Sequence, residues 1–197
     1  MWGQAFLGVP VQGFIVLGAL GGLVVAFATV FKKTWAPITA PLYAALEGLA
    51  LGGISAMFEL SYPGIAIQAV TLTFGVLAAL LIAYTSRLIP VTQNFRLGVA
   101  AATGGIMLVY LAGFVLGFFG ISIPFLHDSG PIGIGVSLFI VVVAALNLVL
   151  DFDFIEQGAR SSLPKYMEWY AAFGLTVTLV WLYLEIIRLL AKLRGRR

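Results

Sequence analysis

Long apolar runs broken by short polar punctuation set the plan of this chain. Six segments stand out, at about Val11 to Phe31, Ile38 to Phe58, Pro63 to Tyr84, Leu97 to Phe119, Pro131 to Phe154 and Lys165 to Leu193. A bilayer core about 30 Å thick takes about 20 residues of helix, so each segment is long enough to cross. Lys32-Lys33 stop the first, Glu59 ends the second, Arg87 bounds the third and Arg96 precedes the fourth. No segment alternates with period two, which argues against a membrane barrel. Lipid offers no partner to an unbonded amide, so helices remain as the way to cross. The predicted fold is all-α, a multi-pass transmembrane bundle of about six spans forming a single integral membrane domain over residues 1–197.

Composition supports this plan. The chain is 61% hydrophobic and 10% charged, against roughly a quarter charged for soluble domains. It has no cysteine, which excludes disulfides and thiolate metal sites, and its single histidine, His127, cannot build a histidine metal cluster. The net charge of +3 resides in loops and tail, a pattern of membrane topology rather than nucleic-acid binding. No cleavable signal peptide is expected, because no basic segment precedes the first apolar run and no small-residue cleavage motif follows it. If all six segments cross, Lys32-Lys33, Arg87, Arg96, Arg160 and Lys165 share one side, while Glu59 and His127-Asp128 lie on the other. The positive-inside rule puts the basic side in the cytoplasm. The tail, with Lys192, Arg194, Arg196 and Arg197, then falls on the wrong side, unless one segment does not cross. Gly18–Gly22, Gly48–Gly52 and Gly113–Gly117 are small-xxx-small steps that let helices approach closely.

Against this background the acids are informative. A carboxylate at membrane depth costs at least a few kcal/mol unless it is paired, hydrated or protonated. Glu185 lies between Leu184 and Ile186, well inside the last segment, and either serves function or pairs with Arg188 three residues on. Asp151 lies between Leu150 and Phe152, and Asp153 and Glu156 follow it, three residues apart and able to share a face or to mark the headgroup level. Glu47, near the middle of the second segment beside Gly48, can serve as a structural acid bonded to a neighbouring helix. Two carboxylates facing each other across helices share a proton and respond to pH. Several acids with oxygen ligands suit a hard cation such as calcium. The chain has no phosphate loop, serine elbow or zinc helix motif, so no enzyme activity is expected.

Three strings carry a resemblance. Tyr43-Ala44-Ala45-Leu46-Glu47-Gly48-Leu49-Ala50-Leu51-Gly52-Gly53-Ile54-Ser55, the stretch from Ala145 to Gly158 around Asp151-Phe152-Asp153-Phe154-Ile155-Glu156, and Trp169 through Arg188 resemble the bacterial branch of the Bax inhibitor-1, or transmembrane Bax inhibitor motif, family. The likeness covers nearly the whole chain from about Val11. It implies a bundle of seven helices with the last at the centre, and a pH-gated calcium leak. It also implies an acid at the end of the sixth family helix paired with one on the seventh. By motif position these acids fall on Asp151 and Glu185, the implied pH-sensing and metal-binding pair, with Asp153, Glu156 and Glu47 as supporting acids. Arg188 is a basic partner, and Lys32 or Lys33 stand where the family has a basic cluster.

Three departures accompany the likeness. The chain shows six helices, and the family's first helix is the one expected to be missing, with the uncharged residues before Val11 reading as loop. The seventh-helix acid is Glu where Asp is common. The connection from Asp151 to Glu185 is longer than usual, so the Ser161-Ser162-Leu163-Pro164 turn is expected to hold extra loop or an extended helix start.

The leading expectation is therefore a pH-sensitive calcium leak or transport protein in a bacterial inner membrane. Its partners are calcium ions, protons and the lipid bilayer, with no cofactor and no nucleic acid. The alternatives are a non-conducting regulator of stress response or membrane proteolysis that binds other membrane proteins, and a proton-coupled small-molecule transporter. The last is disfavoured because no internal repeat is visible.

Overall fold

A computed structural model of the chain describes residues 11–120 and 130–195, apart from the side chain of Phe118. The residues before Val11, His127-Asp128 and Arg196-Arg197, which carry topological expectations above, lie outside the described residues. Six α-helices are described: α1 (Val11–Phe31), α2 (Ala36–Ser61), α3 (Ile65–Thr85), α4 (Gln93–Phe118), α5 (Pro131–Arg160) and α6 (Tyr166–Gly195). A 3-10 turn at Lys33–Trp35 joins α1 to α2. All six helices are long and apolar enough to cross a membrane, and no strand occurs among the described residues. The all-α multi-pass prediction therefore holds.

The helix ends follow from local chemistry. Pro37 sits in the first turn of α2, where its missing N–H costs nothing. Glu59, expected only to end the second segment, has a second role. Its carboxylate accepts the N–H groups of Gly64 and Ala66 at 2.5 and 3.1 Å, so the end of α2 caps the start of α3. Gly64 allows the tight turn with a φ of +80°. Thr92 caps α4 by accepting the Phe95 N–H at 3.2 Å.

The largest departure from the predicted boundaries is at α5. Its helix was expected to finish at Phe154 and continues to Arg160. The polar tail is a good helix in its own right: Gln157 donates to Asp153 at 2.7 Å, and Arg160 pairs with Glu156, both at i,i+4 spacing. The Leu163 N–H returns to the Gly158 carbonyl, with Ser162 at positive φ, closing the helix. The stretch from Asp151 to Glu185 is thus mostly helix, with only residues 161–165 between α5 and α6.

Contacts group the chain into two compact units. One comprises residues up to Gln68 together with Asp153–Val180, and the other Ala69–Phe152 together with Trp181 onward. The helices α3, α5 and α6 each run from one unit into the other.

In the first unit, α1 lies directly on the backbone of α2. A Cβ added at Gly18 would meet the Leu46 carbonyl oxygen at 2.5 Å and the Ala50 nitrogen at 2.6 Å, and one at Gly53 would run into the Ile15 side chain. Gly18–Gly22 is therefore a true packing step. Gly48–Gly52 is not, since a Cβ at either would meet nothing within 4 Å. Tyr43 meets Phe173 edge-on at 5.0 Å, and Ala40 joins them in a small core against Val25, Ala26 and Tyr170.

In the second unit, Ile106, Ile140 and Val143 form the core, covered by Ala102, Val136 and Trp181. Asn147 ties α5 to α4, donating to the Thr103 hydroxyl at 2.8 Å and to its own Val143 carbonyl at 2.8 Å. Tyr84 and Phe152 add a ring contact at 5.9 Å. The last two helices are the most enclosed. In each, 39% of the most apolar stretch is buried, against 11–17% in the others.

Candidate functional site

Glu185, Arg188 and Lys192 occupy positions i, i+3 and i+7 of α6, so they project from one face along about two turns. Glu185 is 2% exposed, among the most buried side chains of the protein. Its Oε1 accepts the Tyr110 hydroxyl of α4 at 2.8 Å and the Arg188 Nη1 at 3.0 Å. The ion pair expected between Glu185 and Arg188 is thus formed, and Tyr110 is added to it. The Arg188 side chain is 48% exposed, and its guanidinium leans on the Tyr110 ring at 5.9 Å. One partner of the pair is locked and the other can leave.

Lys192 does not end in open solvent. Its Nζ donates to the Gly133 carbonyl at 3.2 Å and to the Ser137 hydroxyl at 2.8 Å, both in the first turns of α5. The end of α6 therefore lies beside the start of α5. The Lys192 charge, expected in the tail, is thus used inside the protein. Tyr110, Ser137, Ile140, Glu185, Arg188 and Lys192 surround a cavity of about 300 Å³.

Asp151 lies on α5 with its Oδ2 atom buried, next to the fully buried Val149 and Leu148. The hydrogen bonds described for Glu185 run to Tyr110 and Arg188. Trp181, one turn before Glu185, packs on Ile140 and Val143. Asp151 is eight residues beyond Val143 along α5, about 12 Å of helix. The two acids thus stand at different depths of this unit. No group of three or more metal-ligating side chains occurs among the described residues.

The other expected site residues fall in the first unit and have mainly local roles. Asp153 and Glu156 bond along α5 to Gln157 and Arg160. Glu47 lies half-buried with its Oε1 over α1, where a Cβ at Gly22 would meet it at 2.6 Å. Lys32 sits over the Trp35 ring at 4.4 Å, and Lys33 over the Tyr170 ring at 5.1 Å. These cations are held by aromatic faces at the turn between α1 and α2.

Sequence reasoning overlooked three contributors. Tyr110 carried a signal, being a phenol inside the apolar run Leu108-Val109-Tyr110-Leu111, and a buried hydroxyl seeks a partner. Lys192 was read only as tail charge, although its spacing from Glu185 sets it on the same face. Ser137 gave no signal, since serine is common where membrane helices pack.

A family model described as Bax inhibitor 1 like matches residues 2–195. No curated protein and no solved structure matches the chain.

Proposed function

The chain belongs to the Bax inhibitor 1 like family, and on that premise we propose that it is a pH-sensitive calcium leak across a bacterial inner membrane. The observation that carries the proposal is Glu185. It is a carboxylate in the apolar middle of a membrane helix, 2% exposed, held by one phenol and one half-exposed guanidinium at the wall of a cavity. Burial without such partners would be prohibitive. The same partners make the position switchable.

While Glu185 is ionised, Arg188 acts as a tethered cation that occupies the carboxylate in place of a passing one. When Glu185 takes a proton, the charge that holds Arg188 is gone, and its exposed side chain is released. The leak therefore opens as pH falls. Glu185 and Asp151 serve as the two acidic stations of the pathway. An ion that passes rather than stays does not need a closed ligand shell, and calcium tolerates irregular oxygen coordination with water completing it. The reading requires no cofactor and no enzymatic step.

Calcium entry into proteoliposomes, followed as the pH is lowered from neutral, tests it. The native chain conducts more at the acidic end. Glu185→Gln, which cannot ionise, removes the pH dependence, and Asp151→Asn lowers the flux. Equal calcium entry with native chain, with both variants and with empty liposomes would replace the leak by the non-conducting regulator.

A further inference from the structure

A second cavity, which the calcium pathway does not use, lies where α5 turns into α6. It measures about 490 Å³, and all its lining residues fall in the unit that contains Asp153–Val180. The walls come from the end of α5, the connection at 161–165 and the start of α6. Glu168 is two residues from the start of α6 and Leu175 nine, about 3 and 14 Å along the helix. Phe154 lies six residues before the end of α5, about 9 Å from it. Its ring meets Tyr170 edge-on at 6.4 Å, which fixes that wall.

Polarity in this cavity is confined to the turn. Among the described lining residues, Ser162 and Glu168 alone have hydrogen-bonding side chains, and Glu168 is the one that is charged. The neighbouring cations leave that charge in place. Arg160 is bonded to Glu156 along α5, and Lys165 does not line the cavity. No ion pair or side-chain hydrogen bond to Glu168 occurs among the described residues. An acid in the first turn of α6 suits the helix dipole, which accounts for Glu168 in the turn but not for the apolar hollow beneath it. Small-molecule sites are typically clefts of about 300–1,000 Å³ with apolar walls and a few converging polar groups. Charge of one sign at the mouth of such a cleft focuses its field on an entering ion.

We propose that this cavity binds a small amphipathic amine, its ammonium on the Glu168 carboxylate and the Ser162 hydroxyl and its apolar body along Phe154, Ala171 and Leu175. An ammonium offers donors only, and both of these side chains accept. A bare acyl chain would leave the two polar groups without use, and an anionic headgroup would be repelled by the carboxylate. A polyamine with no apolar body would leave the inner walls empty. The site shares no residue with the Glu185 cavity.

The test is a titration of the full chain in detergent with dansylcadaverine, a primary ammonium on an apolar fluorophore, followed by energy transfer from tryptophan. Trp169 adjoins Glu168 and serves as a donor. The expected result is saturable binding, about threefold to fivefold tighter than that of the uncharged dansyl pentylamide, the worth of one charge contact at an exposed site. Glu168→Gln, a change at the surface, brings the amine down to the level of the neutral compound. Ala172→Phe weakens both compounds, because Ala172 is exposed on the cavity wall and the ring fills the hollow from its open side. Equal binding of the two compounds, or amine binding that Glu168→Gln leaves unchanged, overturns the proposal. Uptake that never saturates overturns it too. So does displacement of the amine by phosphatidylethanolamine and not by octylamine, which would leave a groove for lipid. None of these readouts involves flux, so the failure of this proposal and the failure of the leak are distinguishable.

Discussion

Glu47 and Glu185 are alike in sequence, each a lone acid inside an apolar run, Glu47 between Leu46 and Gly48 and Glu185 between Leu184 and Ile186, yet the two units of the protein treat them differently. In the unit that holds α1 and α2, Glu47 is half-buried and covers the backbone of a glycine on the adjacent helix. Helices there meet through missing side chains, and cations rest on aromatic rings. In the unit that holds α4 and the end of α6, Glu185 is fully enclosed, carries a hydrogen-bonded ion pair and faces a cavity lined by two cations. Close backbone packing leaves no room for a charge to change partners. A cavity does. The lesson is that an acid in a membrane helix becomes a candidate switch when one of its partners is free to move, and burial alone does not confer that.

The contrast can be broken most directly by charge removal. Glu185→Gln is expected to abolish the pH dependence of calcium entry, whereas Glu47→Gln leaves it in place. The reverse outcome would move the switch to the other unit. The next largest effect concerns packing. Gly18→Ala drives a methyl into the Leu46 carbonyl and the Ala50 nitrogen, which are backbone and cannot yield. It should destabilise the protein by about 1–3 kcal/mol in detergent unfolding, the usual cost of overpacking. Gly52→Ala, with open space around it, should change stability by less than about 1 kcal/mol. If the two behaved alike, α1 and α2 would not be packed as described.

Smaller effects sharpen the comparison. Tyr110→Phe deletes one donor to Glu185 and loosens the latch, so flux at neutral pH should rise about threefold to tenfold, the worth of one net hydrogen bond. Tyr170→Leu removes the ring beneath Lys33 and should cost about 0.5–1 kcal/mol of stability without altering the pH profile of flux. A changed profile would show that the aromatic unit takes part in gating.

Part of the candidate site was legible in the sequence. Glu185 and Arg188 could be paired from spacing alone, because residues three apart on a helix are neighbours. Asp151 was visible as an acid between apolar residues. Tyr110 and Ser137 were not assignable, because 75 and 48 positions separate them from Glu185 in the chain, and only packing between helices brings them to it. The equal standing of the three glycine steps was misleading for a similar reason. Spacing marks a surface that can pack, and the partner helix decides which one does.

The chain by itself determined that the described residues form long apolar helices at about the positions expected, since hydrocarbon thickness and the need to satisfy every amide leave few solutions. It also determined the family through three long strings. The tertiary structure decided that Lys192 turns inward to Gly133 and Ser137, that Glu59 caps the following helix, and that Tyr110 holds Glu185. These are contacts of polar atoms between helices in a medium with no competing water. Their choice depends on rotation and register, which an almost uniformly apolar sequence does not encode locally.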